Sequence, residues 1–429
     1  MMLAKGIIVG VNIVEQESFR DEMVELKNLC EACNIEVVDQ MVQNARTIHP
    51  KTYVGTGKLE ELRLLVEEMK VSIVIFNSEL TPSQIKHIDE VLQVEVLDRT
   101  GLILEIFANR ARTREAKLQV EIVRLQYELP RLVGLNNNLS RQAGGSGAAG
   151  GSTSAGGRNK GAGETKLELN RRQLNEKITQ LQKELDSLTV QRKTQRGRRK
   201  KNGLPMVALV GYTNVGKSSV MNYMVNHYIG DEKKQVFEKN MLFATLETSV
   251  RQIPIQEHRE FLLSDTVGFV SNLPHNLVKA FRTTLEEVCE ADLLLHVVDC
   301  SNPDYQTQIE VTKQTLKEIG ADEIPVIYVY NKMDLIQEKP TLICAANGVL
   351  ASTKTGLGME ELVNKISERV LPKSQKLEVL IPYDCGALIA KVKASANILC
   401  EECREQGIRY EVECGPHTIK LVQNYILNA

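Results

Sequence analysis

The segment that most constrains the fold is MVALVGYTNVGKSSVMNYMV, residues 206–225. It begins as an apolar strand, turns through a loop and continues as a helix, and GYTNVGKS fits the pattern GxxxxGK[ST] in full. Glycines in such a loop let backbone N–H groups close around phosphates at a helix N-terminus. Lys217 can neutralise the β and γ charges, and Ser218 offers a hydroxyl to Mg²⁺. The predicted phosphate-binding residues are Gly211, Tyr212, Thr213, Asn214, Val215, Gly216, Lys217, Ser218 and Ser219.

A second strand, FLLSDTVGF, ends in the aspartate-to-glycine box DTVG. We expect it to bring Asp265 to the same edge of the sheet, where the carboxylate can hold a magnesium-bound water while the N–H of Gly268 senses the γ-phosphate. Upstream, FATLETS supplies Thr245 where a switch loop must offer a hydroxyl to the metal, with Thr248 as the competing candidate. The predicted Mg²⁺ ligands are Ser218, Thr245 and Asp265, the last through water. The predicted catalytic residues are Lys217, Thr245 and Gly268.

The third motif concerns the base. The apolar run IPVIYVYNKMD ends with Asn331, Lys332 and Asp334. A carboxylate at Asp334 can accept hydrogen bonds from guanine N1 and N2, which adenine lacks, so ATP would leave that charge unpaired. We expect Asn331 to reach the other edge of the purine and the Lys332 stem to stack on the ring. In LASTKTGLG, the base-contacting loop is predicted at Ser352, Thr353 and Lys354. The three motifs in this order, each after a strand, predict a guanine-nucleotide domain.

The remaining patterns predict an α/β protein of four parts. Residues 1–97 alternate apolar strands with helical stretches, as in a small open α/β domain. Its YVGTGKLEEL resembles a phosphate loop only weakly, and we interpret Gly55 and Gly57 as a strand-to-helix turn capped near Thr56. Residues 204–371 form the doubly wound, Ras-like P-loop domain. Residues 374–429 alternate short strands and a helix, which predicts a small C-terminal α/β domain.

Residues 98–200 carry two matched heptad seams on either side of a glycine-rich tract at 140–166. The apolar residues of the seams are Leu118, Ile122, Leu125, Leu129 and Leu132, and then Leu174, Ile178, Leu181, Leu185 and Leu188. We predict an antiparallel helical hairpin that closes its own apolar stripe, the alternative being two helices packed on a neighbouring domain. The tract lacks apolar residues to offset the entropy of ordering, so we expect a mobile tip, and a passive linker is the alternative.

Composition narrows the class of protein. No apolar run approaches the roughly 18 residues needed to cross a bilayer, so we expect a cytoplasmic protein without a membrane span. Nine cysteines in 429 residues favour reduced thiols, and the pairs Cys30/Cys33 and Cys400/Cys403 lack the histidine pattern of a zinc site. Although the net charge is -2, residues 156–202 hold 14 Lys or Arg against 5 Asp or Glu. That block suits a polyanion, or alternatively is a solvated linker.

Several boxes outside the nucleotide motifs resemble the HflX family of translational GTPases along essentially the whole chain. They are DRTGLILEIFANRA, GAGETKLELNRR, FATLET and DTVGFVSNLPHNLVKAFRTTLEE. The resemblance implies a monomeric protein that binds the large ribosomal subunit and its rRNA. The N-terminal domain and hairpin would enter the subunit, and GTP would drive the splitting of stalled or stress-arrested ribosomes. The alternatives are a GTP-gated tRNA-modification or RNA-binding factor acting off the ribosome, and a scaffold that binds GTP without turnover.

Phe269 stands directly after the DTVG box, where a hydrolase of the Ras type has a glutamine that orients the attacking water. The resemblance places the chain among GTPases with a hydrophobic residue there. Intrinsic hydrolysis is then expected at about 10⁻³ per second or less, with stimulation by the ribosome. In some relatives an asparagine in the phosphate loop binds K⁺, which makes Asn214 a hypothetical potassium ligand. Asparagine is also an ordinary turn residue.

Overall fold

The computed structural model confirms an α/β protein. Its contacts divide the chain into two compact units, each described by itself below. The first comprises Met1–Gln195, Lys239–Glu247 and Val270–Thr283, and the second comprises Arg196–Glu238, Thr248–Phe269 and Thr284–Ala429. The structure describes residues 4–13, 19–142, 161–201, 204–230, 242–243, 248–256, 259–271, 287–336, 348–371 and 375–427.

The first unit contains a parallel four-stranded sheet with the order β2-β1-β3-β4. Its strands are β1 (Ala4–Ile13), β2 (Ile35–Ala45), β3 (Ile73–Phe76) and β4 (Glu95–Asp98). The strands alternate with α1 (Phe19–Ala32), α2 (Thr56–Met69) and α3 (Pro82–Leu92). Parallel strands covered by helices read as continuous apolar runs, and Ile7, Val9 and Phe76 are accordingly fully buried in one core. Gly10 lets α1 approach the sheet, because a Cβ there would lie 2.6 Å from Met23 Sδ.

The starts of α2 and α3 differ. Thr81 and Gln84 form a capping box at α3, in which side chain and backbone satisfy each other reciprocally. The turn predicted to be capped near Thr56 is present: α2 begins at Thr56, and its N-cap is Gly55, which makes no side-chain bond. The Gly55 N–H instead donates to Gln43 Oε1 at 2.9 Å, so a strand side chain holds this turn.

A helix that the sequence pattern grouped with the hairpin, α4 (Arg99–Arg110), packs in the structure against α1, β3 and β4 as well as against the helix that follows it. Asp98 is fully buried and caps it by accepting from the Gly101 N–H at 2.8 Å. The same carboxylate accepts from the Tyr127 hydroxyl and from Arg131 Nη2, which lies 2.8 Å away. The helix after α4 is therefore tied to the sheet as well. The domain boundary at residue 97 stays a prediction.

Two long helices form the predicted hairpin, α5 (Arg114–Gln142) and α6 (Gly161–Lys201). Their pairing is antiparallel, since the Arg114 guanidinium meets Glu184 at 2.8 Å and Lys177 meets Glu121 at 2.8 Å. Along the same two helices, predicted seam residues pack in one cluster: Ile122, Leu125, Leu174, Ile178, Leu181 and Leu185. The helices also extend into both ends of the 140–166 tract, at residues 140–142 and 161–166, where the sequence predicted a loop. Residues 143–160 lie outside the described residues.

The second unit contains the predicted doubly wound sheet, with the order β10-β9-β8-β5-β7-β6. All neighbouring strands are parallel except β6 and β7, which are antiparallel. The strands are β5 (Met206–Val210), β6 (Ser249–Gln256), β7 (Arg259–Asp265), β8 (Leu293–Asp299), β9 (Val326–Asn331) and β10 (Gly348–Leu350). The helices are α7 (Lys217–Tyr228), α8 (Tyr305–Ile319) and α9 (Met359–Val370).

The last part of the second unit is an antiparallel sheet with the order β11-β13-β12. Its strands are β11 (Gln375–Ile381), β12 (Asn397–Arg404) and β13 (Gly407–Cys414), accompanied by α10 (Gly386–Ser395) and α11 (Pro416–Val422). Val379, Tyr410 and Val412 are fully buried in its own core, as a small α/β domain requires. Across the described parts of both units, no helix has the length and apolarity to cross a membrane.

Candidate nucleotide-binding site

Three motif loops meet at one edge of the six-stranded sheet because they follow the carboxyl ends of parallel strands. The GYTNVGKS loop follows β5, the DTVG box ends β7, and NKMD ends β9. Two glycines of the first loop are required by their surroundings. A Cβ on Gly211, at φ +143°, would lie 2.3 Å from the Val297 carbonyl oxygen. A Cβ on Gly216, at φ +96°, would lie 2.3 Å from Asn331 Nδ2.

Lys217 begins α7 and turns its ammonium back into the loop. Its Nζ donates to the carbonyl oxygens of Gly211 at 3.1 Å and Tyr212 at 2.6 Å. Burial lowers the pKa of Lys217 to about 8, and the charge of Asp265 opposes that shift. A buried cation of this kind interacts strongly with a phosphate, because little water screens it.

Ser218 and Asp265 are brought together as predicted, with Ser218 Oγ 2.7 Å from Asp265 Oδ2. Asp265 is fully buried. A hydroxyl and a carboxylate are hard oxygen donors of the type that Mg²⁺ prefers, so this donor set fits a magnesium ion. Thr245 lies outside the described residues. The competing Thr248 is described and half-buried, next to the start of β6.

The end of the DTVG box is docked on the phosphate loop. Phe269 forms an isolated parallel bridge with Tyr212: its N–H donates to Gly211 O at 3.1 Å, and its carbonyl accepts from Thr213 N at 2.8 Å. Gly268 packs so closely that a Cβ would lie 2.7 Å from Thr213 Cγ2 and 2.9 Å from Lys217 Nζ. The Phe269 ring is 3% exposed, so the residue in the usual glutamine position is buried and apolar.

The predicted base-binding residues also converge. Asn331 Nδ2 donates to Val215 O at 2.9 Å, and Asn331 Oδ1 accepts from Thr353 N at 3.3 Å. Ser352 Oγ donates to Asp334 Oδ1 at 2.7 Å, which fixes the orientation of the carboxylate predicted to read guanine. Asn331 thus joins the phosphate loop to the 352–354 loop. Of the remaining predicted residues, Asn214 lies in the left-handed region at φ 62° and, like Lys354, is exposed.

One residue of this edge was missed by the sequence reasoning. Asp299 ends β8, and its Oδ2 pairs with Lys332 Nζ at 2.6 Å. Its Oδ1 accepts from the N–H and hydroxyl of Ser301, at 3.0 and 2.6 Å. Asp299 therefore holds the lysine that we predicted to stack on the base. A signal was present, because the run LLLHVVD ends in an aspartate as FLLSD does.

A doubly wound sheet with a GK[ST] loop after one strand, DxxG after the next and NKxD at the same edge defines a P-loop GTPase. Residues 206–332 match the family described as "50S ribosome-binding GTPase", residues 20–108 match "GTP-binding GTPase N-terminal", and residues 110–199 match "GTP-binding GTPase Middle Region". The GTPase HflX of Caldanaerobacter subterraneus subsp. tengcongensis is 39% identical over 97% of this chain and 93% of its own length. The GTPase HflX of Escherichia coli K12 is 36% identical over 94% and 91%. The chain therefore belongs to the HflX family of GTPases.

Among solved structures, a GDP complex of the protein named SsGBP is similar at 25% identity and a TM-score of 0.47. The match covers 85% of this chain and 98% of that one.

Proposed function

We propose that the chain is a magnesium-dependent GTP switch that binds the large ribosomal subunit and its rRNA and splits or rescues stalled ribosomes. The observation that carries the nucleotide part is the convergence of two oriented pairs. Ser218 and Asp265 lie beside the buried Lys217, and Ser352 orients Asp334 at the base end. Membership of the HflX family, together with the match to a ribosome-binding GTPase family, supports the ribosomal part.

The residues at the phosphate end divide the work between them. Lys217 and the backbone N–H groups of the loop bind the β- and γ-phosphates, and the Gly268 N–H contacts the γ-phosphate. Ser218 and Asp265 would hold Mg²⁺, with Thr245 as the third ligand predicted from the sequence. When bound, the ion would neutralise part of the phosphate charge. Because Gly268 packs on both Thr213 and Lys217, a larger side chain there would displace the γ-phosphate contact.

The residues at the base end supply selectivity for guanine. Asp334 accepts from guanine N1 and N2, and Ser352 keeps one carboxylate oxygen occupied so that the group cannot rotate freely. Asn331 faces the other edge of the purine, Lys332 covers the ring, and Thr353 and Lys354 complete the loop. A site built to pair a carboxylate with guanine N1 and N2 rejects a base that lacks these donors by orders of magnitude.

Turnover without a partner is proposed to be slow. The Phe269 ring is buried and apolar, so it cannot orient a water for attack on the γ-phosphate. The missing polarisation would come from the ribosome, with K⁺ at Asn214 as a further hypothesis. Single-turnover rates in matched KCl and NaCl buffers test that hypothesis, and equal rates would remove it.

The ribosomal role rests on the hairpin and its charge. Helix α6 runs for 41 residues, and all of it lies within the basic block at 156–202. Structured RNA is gripped mainly through phosphate and sugar contacts, which such a block can make. We infer that the protein acts as a monomer, with the hairpin end at 143–160 approaching the interior of the large subunit.

Co-sedimentation with ribosomal subunits tests this function directly. The intact chain and a deletion of residues 143–163 would each be spun with 30S, 50S and 70S particles in GDP and in a non-hydrolysable GTP analogue. We expect binding to 50S with the analogue, dissociation of 70S particles, faster hydrolysis with 50S, and loss of splitting in the deletion. If hydrolysis is indifferent to ribosomes, the proposal fails and a factor acting on free RNA becomes the better account.

A further inference from the structure

Strand β10 and helix α9 are joined by a closed turn, residues 352–358, which we call the base loop. The Ser352 N–H donates to Leu357 O at 3.0 Å, and the Gly356 N–H donates to Ser352 O at 2.8 Å. Gly358, at φ +70°, packs on the end of β10, where a Cβ would lie 1.9 Å from the carbonyl oxygen of the last strand residue. These contacts hold the base loop in one shape, so a displacement of Gly356 is passed on to Ser352.

The base loop packs on a tyrosine of α7. A Cβ on Gly356, at φ +81°, would lie 2.8 Å from Tyr223 Oη and 3.5 Å from the ring carbons Cε2 and Cζ. Tyr223 is half-buried, and its ring stacks on that of His227 with the centroids 5.9 Å and the planes 13° apart. The His227 ring in turn meets the Tyr228 ring edge-on at 4.8 Å. Tyr223 is therefore held by its own helix while it supports the glycine of the base loop.

A cleft of about 690 Å³ lies between α7 and the part of the base loop that is predicted to contact the base. Its walls include Asn226 on the helix and Thr353 and Lys354 on the loop. Because helix and loop stand apart at this cleft, the packing of Tyr223 against Gly356 limits how closely the loop approaches α7. With the Tyr223 ring removed, the loop has room to move towards the helix.

The position of the base loop decides two contacts of the guanine-binding residues. Ser352 Oγ donates to Asp334 Oδ1 at 2.7 Å, and the Thr353 N–H donates to Asn331 Oδ1 at 3.3 Å. A loop that moves towards α7 takes both donors with it, and hydrogen bonds weaken steeply when their geometry is lost. The Asp334 carboxylate would then lose the bond that orients it.

The same helix also carries the phosphate end of the site. Lys217 and Ser218 are the first two residues of α7, and Tyr223 follows Lys217 by six positions. Six residues of an α-helix span about 9 Å along its axis. A single rigid helix therefore sets the separation between the phosphate loop and the base loop.

We propose that Tyr223 is a positioning residue for guanine, which holds the base loop at the height where Ser352 orients Asp334. This inference rests on the proposed function of the site. Tyr223 acts through these two residues and thereby sets how long the nucleotide stays bound and how strongly guanine is preferred over a base without the N2 amino group.

The rate of GDP release from the full-length chain tests this role. Displacement of a fluorescent GDP by excess GDP would be followed by stopped flow in the wild type, Tyr223→Ala and Tyr228→Ala. We expect Tyr223→Ala to release GDP roughly tenfold faster, which corresponds to one lost hydrogen bond to a charged group, with the association rate unchanged. Tyr228→Ala removes a ring of the same helix that packs on His227, and as the matched control it should keep the wild-type rate.

The choice of base supplies a readout that a loss of stability would not move. Hypoxanthine keeps the N1–H of guanine but lacks its N2 amino group, so the ratio of GDP to inosine diphosphate affinity reports the bond from N2 to Asp334. This ratio should fall about fivefold in Tyr223→Ala and stay unchanged in Tyr228→Ala. Chelation of Mg²⁺ should speed GDP release by the same factor in the wild type and in Tyr223→Ala, because the ion would be held at the phosphate end.

Two milder variants keep the test decisive if Tyr223→Ala folds poorly. Gly356→Ala places a Cβ against Tyr223 Oη, and Tyr223→Phe removes that oxygen, so the double variant should release GDP more slowly than Gly356→Ala alone. Additive effects in the double variant would overturn the proposal, as would a wild-type release rate or base ratio in Tyr223→Ala, or an altered magnesium factor. A wild-type chain that binds ADP as tightly as GDP would instead refute the proposed function.

Discussion

Burial gives individual side chains of the nucleotide-binding unit properties that their residue types alone do not have. The pKa of Lys217 falls to about 8, which leaves its ammonium charged at neutral pH beside the phosphate loop. His296, at the centre of β8, is 2% exposed, and its ring centroid lies 5.2 Å from that of Tyr328, with the two rings tilted by 35°. Burial, followed by the charges of Lys313 and Lys217, lowers the pKa of His296 to about 3. This histidine is a neutral core residue.

We predict that His296 makes the second unit sensitive to acid. Its pKa is lower in the folded state than in the unfolded state, where it is about 6.5, so the unfolded chain binds the extra proton and stability falls as pH drops below 6.5. At pH 5 the free energy of unfolding is lower by about 2 kcal/mol than at pH values well above 6.5. Urea unfolding at pH 7.5 and pH 5, with deuterium uptake of β8 peptides as the readout, measures this effect. The free energy of unfolding should fall at pH 5 in the wild type and should not fall in His296→Phe.

The exposed His227 on α7 provides the control for that experiment. His227→Gln should keep the acid loss of the wild type. If His296→Phe loses as much stability between the two pH values as the wild type does, the titration of His296 is not its cause.

The sequence predicted the residues of the site better than their contacts. The types and order of Lys217, Asp265 and Asp334 are dictated by the chemistry of a guanine nucleotide, so a linear pattern captures them. The burial of Phe269 and its pairing with Tyr212 depend on how the end of β7 meets the loop after β5, which no local pattern encodes. The ion pair of Asp299 could not be predicted for the same reason, since its partner Lys332 is 33 positions away.

At the scale of elements, two kinds of contact hold α5 and α6 together. Apolar side chains close the seam, in which Ile178 is 7% exposed against Ile122 and Leu125. The Arg114–Glu184 and Lys177–Glu121 pairs lie at the surface, where water and salt screen them. The seam should therefore supply most of the stability of the hairpin, and the ion pairs should supply mainly its register.

We predict that Ile178→Ala weakens the hairpin by about 2 kcal/mol, through lost burial and an incompletely filled cavity. Glu184→Gln should change the stability of the hairpin by less than about 1 kcal/mol, because the Arg114–Glu184 pair is exposed. Hydrogen exchange of peptides from α5 and α6 measures both effects in the intact chain. A larger effect of Glu184→Gln than of Ile178→Ala would mean that charge holds the helices together.

The limits of these elements were harder to predict than their existence. The heptads predicted the antiparallel pair because its apolar spacing is local, but glycines at 161 and 163 suggested a loop where the structure has the first turn of α6. The favourable helix formers that follow, ETKLELNRR, explain how the helix extends back. Likewise α4 was grouped with the hairpin by its sequence pattern, and only the structure shows that it packs on α1 and the sheet as well as on α5.

At the scale of the whole molecule, charge is distributed unevenly along the chain. The net charge is -2, yet residues 156–202 hold 14 Lys or Arg against 5 Asp or Glu. Most of that excess lies on α6, which at about 1.5 Å per residue extends roughly 60 Å. A polyanion can contact a helix of that length at several phosphates, with release of a counterion at each one.

We therefore predict that the C-terminal part of α6 sets the salt dependence of binding to the large subunit. In the triple variant Arg192→Gln, Arg196→Gln, Arg199→Gln, binding should weaken, and the slope of log affinity against log salt should become shallower by roughly two to three, since three phosphate contacts are lost. Sedimentation at a series of KCl concentrations measures the slope. Intrinsic GTP hydrolysis should stay unchanged, because these residues belong to none of the three nucleotide motifs.

The control replaces three exposed lysines of the second unit, Lys317, Lys376 and Lys391, by Gln. It changes the net charge equally, so an equal loss of slope in both variants would show that total charge, and not the basic helix, governs the attraction to RNA.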